Sequence, residues 1–529
     1  MAASTTEYPG VNPYLITVLV SVATFMEVLD TTIANVALRY ISGGLAIGPD
    51  EAAWVVTSYL VANSIVLCAS SWLVEIFGRK AFFMACIALF TVSSACCGFA
   101  WSLQSLLIFR VLQGLAGGGM TPVAQSILAA AFPPEKRSQG FAIYGIAVVV
   151  APAVGPVLGG WLSDNWSWHW CFLINVPVGI ASLISVAFFL PTPEQEKKRR
   201  EKLWKSGNIR FDYIGFIPVA TFLGALEVVL DRGQEDDWFG SNFIVVFSIM
   251  SAVALILFIP WELTRKEPLI DLRMLASRQF GACFLIMLST GAILIATTQF
   301  LPQILQDDFG YTATLAGLAL SPGGFVTMLM FILVGRLGFI DPKYLIALGG
   351  VIMAAAMYDL TNVYADLSFG FFAWSRVYLG LGLPLVFNAV TTASYSGIPP
   401  GKTDQASSLI NVARNFGGSI GVSLAQTTLA RREQFHQSRL VEYVGSWNPI
   451  YGQTLQQVQS YFATKSLIGS GGSPSQTAVA WIGQQVQTQA SLWAYIDVFF
   501  SLSLIGLAIT ALALTLRHTK PSAGTQAAA

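Results

Sequence analysis

The chain has 529 residues, of which 54% are hydrophobic and only 11% charged, with a mean hydropathy of +0.62. So few charges cannot cover a water-soluble fold, where about a quarter of residues are charged, and the 29 basic and 29 acidic side chains cancel, leaving no global field for nucleic acid. A polytopic helical membrane protein remains, its charges lying between apolar runs long enough to cross about 30 Å of hydrocarbon.

Fourteen such segments are expected, at about 14–37, 52–72, 81–100, 104–131, 139–162, 168–190, 213–231, 241–262, 280–303, 312–336, 343–362, 368–396, 403–430 and 491–516. An even count puts both termini on one side. Loops after even-numbered segments carry Arg79, Lys80, Lys136, Arg137, a basic run from Lys197 to Arg210, then Arg265, Lys266, Lys343 and Lys402. Short loops after odd segments hold Arg39 and Arg232 beside acids such as Asp50, Glu51, Glu235, Asp307 and Asp308. The positive-inside rule therefore places both termini in the cytoplasm. The N-terminal residues lack a basic region and a clear cleavage site, so no cleaved signal peptide is expected.

In the first segment Glu27 and Asp30 lie one turn apart and share a face. Charge inside a membrane costs at least ~2.5–3.5 kcal/mol, so each such group calls for a reason. A low dielectric favours the neutral carboxyl, and a carboxyl that exchanges a proton near neutrality is what a proton-coupled device needs. Attraction of a cationic ligand is a second use, and a hydrogen bond to a neighbouring helix is the plain structural alternative. Arg110, in the fourth segment, is a permanent cation that must find acceptors. It either tunes a nearby acid or forms a structural pair, and the glycines after it allow close helix approach. In the fifth segment Pro152 and Pro156 remove backbone donors while Gly155, Gly159 and Gly160 leave a thin face, which reads as a packed pivot or as generic glycine packing.

The chain repeats itself at an offset of 266 residues: Arg110-Val111 recurs as Arg376-Val377, Gly114-Leu115 as Gly380-Leu381, Pro133-Pro134 as Pro399-Pro400, and Gly155 as Gly421. Both copies start on one side, so two parallel six-helix halves are expected. These are 1–190 and 263–529, with a basic cytoplasmic loop at 191–212 and an inserted helix pair at 213–262. In the thirteenth segment Asn411, Arg414 and Asn415 form a polar stripe on one half only, replacing Gly145, Val148 and Val149. The stripe either lines a cavity or packs against a partner acid. Arg376, Asp359 and Asp497 lie nearer the outer helix ends, where snorkelling or interface pairing accounts for them, as it does for Glu227 and Asp231 in the inserted pair.

Residues 431–490 form the one long outward loop, with helical apolar spacing at Leu455, Val458, Phe462 and again at Val479, Ile482, Val486. It would dock a partner or form a solvated cap. The six cysteines sit in apolar segments as packing residues, and the three histidines (His169, His436 and His518) are scattered. No catalytic, phosphate-loop or metal constellation is visible, so neither an enzyme nor a cofactor is expected.

Several motifs in order then bring a family into view. Leu29 to Leu38, with Asp30, Thr31 and Asn35, resembles the first-helix signature of the fourteen-helix drug:proton antiporters of the major facilitator superfamily. Arg110, Gln113 and Gly114 match its fourth-helix motif, and Gly155 to Gly160 its antiporter motif. Leu230 to Gln234, followed by Asp237-Trp238-Phe239, resembles EmrB/QacA-type multidrug exporters. The loop after the second segment resembles the family's cytoplasmic latch through Glu75, Gly78, Arg79 and Lys80, with Ser71 and Glu75 departing from the usual Gly and Asp. Ala151 stands where the antiporter motif often has Gly, and Glu27 lies outside the family signature.

The resemblance implies proton-driven export of amphipathic drugs by alternating access in the bacterial inner membrane, powered by the proton gradient with no cofactor. Asp30 would be the leading proton or substrate site and Arg110 its tuner. A periplasmic membrane-fusion adaptor and an outer-membrane channel would be partners, with 431–490 as the docking segment. A proton-coupled importer ranks second, and a membrane scaffold or sensor without transport third.

Overall fold

The computed structural model describes residue 8 and residues 11–133, 136–206, 212–265, 268–398, 402–466 and 473–517. Pro134, Arg210, Lys266, Pro399, Pro400 and His518, and 467–472 of the expected outward loop, lie outside the described residues. Among the described residues all regular structure is helical.

The first long helix, α1 (Pro13–Leu45), starts where the Asn12 side chain accepts from the Tyr14 amide and Pro13 occupies the first turn. It stops at Ala46, whose left-handed backbone (φ 53°) turns its amide back onto the Gly43 carbonyl. Next come α2 (Pro49–Phe77) and α3 (Arg79–Gly98), joined by Gly78 alone at φ 85°, a conformation that glycine adopts without strain. Then follow α4 (Leu103–Ala131) and α5 (Arg137–Asn165), and the sixth expected segment is divided into α6 (Trp170–Leu173) and α7 (Asn175–Phe189). The expected basic loop is itself partly helical, as α8 (Glu194–Ser206). The inserted pair is α9 (Tyr213–Arg232) and α10 (Asn242–Thr264). The remaining helices are α11 (Arg278–Asp307), α12 (Ala313–Arg336), α13 (Pro342–Asp359), α14 (Phe369–Ser394), α15 (Thr403–Val441), α16 (Pro449–Ser466) and α17 (Pro474–Thr515).

Thirteen spans among the described residues are long and apolar enough to cross a membrane, where fourteen were expected. The difference is α15, whose polar stripe and polar distal half lower its hydropathy, although it packs lengthwise against α11 and α17. The outward loop expected at 431–490 is also largely helix. Its first amphipathic stretch forms α16, whereas Val479, Ile482 and Val486 lie in the first turns of α17, continuous with the last span. At 1.5 Å per residue, α15 and α17 run to about 60 Å each, roughly twice the hydrocarbon thickness. Beyond the core they are joined by Asp497, which accepts from Arg432 at 2.6 Å and from His436 at 2.8 Å.

Packing repeats between the halves. In the first, α1 lies along α5, and α4 along α2 and α3; in the second, α11 lies along α15, and α14 along α12 and α13. The halves meet where α5 packs on α12 and where α2 and α4 pack on α15. The α9–α10 hairpin leans on α2, with α9 also touching α15. Val246, Ile249, Ile256 and Leu257 of α10 are exposed, as a lipid-facing helix requires. All six cysteines are free, and five of them are buried.

Candidate functional site

Two faces of α1 carry different chemistry. Glu27 and Asp30 point into the first half, while Thr32, Asn35, Val36 and Arg39 line a cavity of about 200 Å³ between the halves. These four recur at intervals of three and four residues, so they form one stripe on a 3.6-residue helix.

On the inner face Asp30 is 1% exposed and Arg110 not at all. Arg110 Nη1 donates to Asp30 Oδ2 at 2.6 Å, and Gln113 Nε2 and Asn175 Nδ2 donate to Asp30 Oδ1 at 2.8 and 2.7 Å. Arg110 also donates to the Val55 carbonyl (2.9 Å) and to Gln113 Oε1 (2.9 Å), and its guanidinium lies 4.3 Å from the Tyr59 ring centre. The reach onto α2 depends on close helix approach. A Cβ on Gly114 would fall on the Tyr59 carbonyl, and one on Gly118 on the Asn63 carbonyl. Thus the fourth-helix residues Arg110, Gln113 and Gly114 form one unit, and Asn175 of α7 joins it. Sequence reasoning missed Asn175, a single amide in an apolar helix start with no pattern to single it out.

Glu27 belongs to a second cluster at the seam of the halves. Thr121 Oγ1 donates to Glu27 Oε2 at 2.5 Å and Asn63 Nδ2 to Oε1 at 3.4 Å. Asn63 Oδ1 accepts from Asn415 of α15 at 3.2 Å, and Asn415 Oδ1 accepts from Arg414 Nε at 3.3 Å. Asn411, on the same stripe, donates to Gln125 Oε1 of α4 at 2.8 Å. The stripe therefore packs across the seam, and none of its three residues lines the cavity.

The cavity is lined by Pro156 from α5 and by Ile295, Thr298, Gln299 and Pro302 among others from α11. It lies toward the helix ends away from the basic loops. Among the described residues the polar contacts that bridge the halves there are exposed: Arg39 with Asp307 at 3.3 Å, and Thr314 with Asp164 at 3.4 Å. Of the fifth-helix motif, Pro152, Gly155, Pro156, Gly159 and Gly160 are all buried. A Cβ on Gly155 would collide with Thr32, and one on Gly159 would press on Ile33, so this motif seats α5 against α1 beside the cavity. Thr31 is half-buried and bonds back to the Val28 carbonyl, while Asn35 is exposed to the cavity.

At the opposite, basic end the halves are tied shut. Arg79 donates to Asp404 of α15 through Nε (3.1 Å) and Nη2 (3.3 Å), and Ser126 also bonds Asp404. Ser407 donates to the Pro122 carbonyl at 2.6 Å, Ser408 meets Leu67 and Ser70, and Asn388 donates to Ser138 at 3.0 Å. Glu75 does not reach the second half: it is exposed and accepts from Arg199 of α8 at 2.7 Å. Lys80 donates to the Ala187 carbonyl at 2.8 Å, and Gly78 lies against Glu196.

Two residues assigned to the outer helix ends behave otherwise. Arg376 is 7% exposed and Glu227 2%, so neither snorkels. Glu227 accepts from Ser419 of α15 at 2.5 Å. Among the described residues no group of three or more His, Cys, Asp or Glu could hold a metal ion.

A family model described as Major Facilitator Superfamily matches residues 20–422. The multidrug export protein EmrB of Haemophilus influenzae is 36% identical over 97% of this chain and 96% of its own length. The fatty acid resistance protein FarB of Neisseria gonorrhoeae is 37% identical over 85% of this chain and 87% of its own. Among solved structures, the human organic anion transporter MFSD10 matches with a TM-score of 0.57 at 13% identity, covering 96% of this chain and 100% of that one. The proton:xylose symporter XylE matches at 0.58 and 12% identity, covering 94% and 96%. At such identities these two show the fold alone.

Proposed function

The chain belongs to the Major Facilitator Superfamily, and on that premise we propose that it is a proton-coupled exporter of amphipathic drugs in the bacterial inner membrane, working by alternating access. One observation carries the reading: α1 holds a buried acid–arginine pair on one face and cavity-lining residues on the other. The relatives named for multidrug export and fatty acid resistance match nearly the whole chain. With the positive-inside assignment, the tied end is cytoplasmic and the cavity faces out.

Asp30 is the coupling carboxyl. Its three polar contacts come from Arg110, Gln113 and Asn175, all within the first half. Protonation would cancel its attraction for Arg110, releasing the guanidinium to its other acceptors, the Val55 carbonyl and Gln113. That change loosens α1 from α4 and is felt one turn on, at Thr32 and Asn35 in the cavity. The cavity mixes apolar walls (Val36, Ile295, Pro302) with neutral amides and hydroxyls (Asn35, Thr298, Gln299), which suits amphipathic molecules. Arg79–Asp404 and the bonds around it would act as the latch that must break for the cytoplasmic side to open, with Glu75, Gly78 and Lys80 anchoring the turn to α8 and α7. Each proton entering down the potential yields about 2.3 kcal/mol per 100 mV.

The distal end of α15, the link after it and α16 present Phe435, Tyr443, Trp447, Ile450 and Tyr461 to solvent. We assign to them the docking of a periplasmic membrane-fusion adaptor, which in turn engages an outer-membrane channel. Co-purification with such an adaptor, lost on deleting 445–472, tests this part alone.

The deciding experiment uses vesicles that are acid inside, with ethidium or a medium-chain fatty acid added outside. Substrate-driven proton release by wild type, absent in Asp30→Asn, is the expected result. A wild type that releases no protons with either probe refutes antiport, and proton movement in the same direction as substrate would make the chain an importer.

A further inference from the structure

The inserted helix α9 bridges the α2–α15 seam. Gly224 of α9 packs on Val61 and Ile65 of α2, Asp231 accepts from Thr57 of α2, and Glu227, one turn before it, accepts from Ser419 of α15 at 2.5 Å. Ser419 also bonds the Asn415 carbonyl at 3.3 Å, the Asn415 side chain donates to Asn63, and Asn63 donates to Glu27. A polar chain thus links a carboxyl on α9 to a carboxyl on α1 through the seam that alternation must open and close.

Glu227 differs from Asp30 in its partners. Asp30 has an arginine and two amides, whereas Glu227 is 2% exposed with a single hydroxyl donor and no ion pair among the described residues. The charged groups that face it are few. Asp231 is a like charge on its own helix, and Arg414 lies five residues before Ser419 on α15, engaged with Asn415. The span of α2 between Glu51 and Glu75 holds no Asp, Glu, Lys, Arg or His, and α10 offers only Glu262, which bonds the Ile270 amide at the basic end. A buried carboxylate with one neutral donor is costly, and a buried carboxylic acid is not.

We propose that Glu227 is a second proton-binding group, and that α9 couples its proton occupancy to the opening of the α2–α15 seam. With the seam closed the acid is sealed between α2 and α15. When the seam parts, water reaches the carboxyl and the proton leaves to it. This deepens the antiport reading and rests on it for the coupling, though not for the proton site itself.

The test uses the full chain in vesicles, with ethidium as the transported probe. Infrared difference spectra of wild type minus Glu227→Gln at neutral pH should show a protonated-carboxyl carbonyl band, retained in Glu227→Asp and shifted in frequency in Ser419→Ala. Absence of that band overturns the proton site, whatever the transport result. Protons released per ethidium should fall in Glu227→Gln while ethidium binding persists. An unchanged ratio, with wild-type antiport present, overturns the coupling role. A wild type that moves no protons at all defeats the antiport reading and the coupling with it, and the infrared band then decides the site alone.

Discussion

Replacing Arg110 by Met removes the cation from the most enclosed ion pair in the first half. The pair is wholly inaccessible and its closest atoms are 2.6 Å apart. Two unit charges about 4 Å apart at an effective dielectric near 20 attract by about 4 kcal/mol, and removing one partner of a buried pair typically costs about 3–5 kcal/mol. Gln113 and Asn175 still donate to Asp30 in the variant, so the loss should sit at the lower end, about 3 kcal/mol. Asp30→Asn leaves Arg110 with the Val55 carbonyl and Gln113 and should also destabilise. The double variant has no buried charge, so it should be more stable than Arg110→Met alone. Thermal unfolding of the four proteins in detergent, followed by tryptophan fluorescence, closes a double-mutant cycle. If the single losses simply add, to within about 0.5 kcal/mol, the two side chains are not coupled and the electrostatic account of the site is wrong.

Three further outcomes follow from single contacts. Gly118→Val places a branched side chain on the Asn63 carbonyl, parting α2 from α4; a loss of about 1–3 kcal/mol should lower the melting temperature, and an unchanged value would mean the helices do not need this approach. Asp404→Asn weakens the Arg79 and Ser126 contacts, so the buried Cys68, kept as the sole thiol, should label faster with a maleimide from the basic side; equal rates would remove the latch role. Asp308 lies just beyond α11, and burial pushes its carboxyl up from the ordinary 3.8 to about 6, against a Ser491 hydrogen bond and with help from Asp307 and Glu433. A raised folded-state carboxyl binds more protons than the unfolded chain across that window, so stability falls as pH rises from about 4 to about 6. Asp308→Asn should flatten that part of the melting profile relative to wild type, and a superimposable profile would refute the assignment.

The parts of this molecule visible in its sequence are those set by local pattern. Apolar run length marks the spans, and the glycines of the fourth and fifth segments announce close approach, which the structure shows as Gly114 on α2 and Gly155 on α1. The cavity stripe was also within reach, since Thr32, Asn35, Val36 and Arg39 fall on one helical face away from Asp30. What stayed hidden depends on distant partners. Arg79 and Asp404 are 325 residues apart, and so nothing local ties them. The polar distal halves of α15 and α17 are too hydrophilic to read as spans, and they persist as helices because each packs on the other. Glu227 resembled an interfacial acid until Ser419 was placed beside it.

The two halves share packing and divide electrostatics. Gly380 sits on Gly323 of α12 as Gly114 sits on α2, so the close approach recurs. The acid does not recur: α11 holds no Asp or Glu before Asp307, its last residue, and Arg376 Nη1 is buried without an acceptor among the described residues. A cation without a partner carries its desolvation cost and gains no Coulomb attraction in return. Arg376→Met should therefore leave the melting temperature unchanged or raise it, the reverse of Arg110→Met, in the same fluorescence assay. Equal losses for the two would mean that Arg376 finds an acceptor of comparable strength in the membrane. The opposite signs would place the ionic machinery in the first half and its seam with α15, leaving the second half to move as a packed body around it.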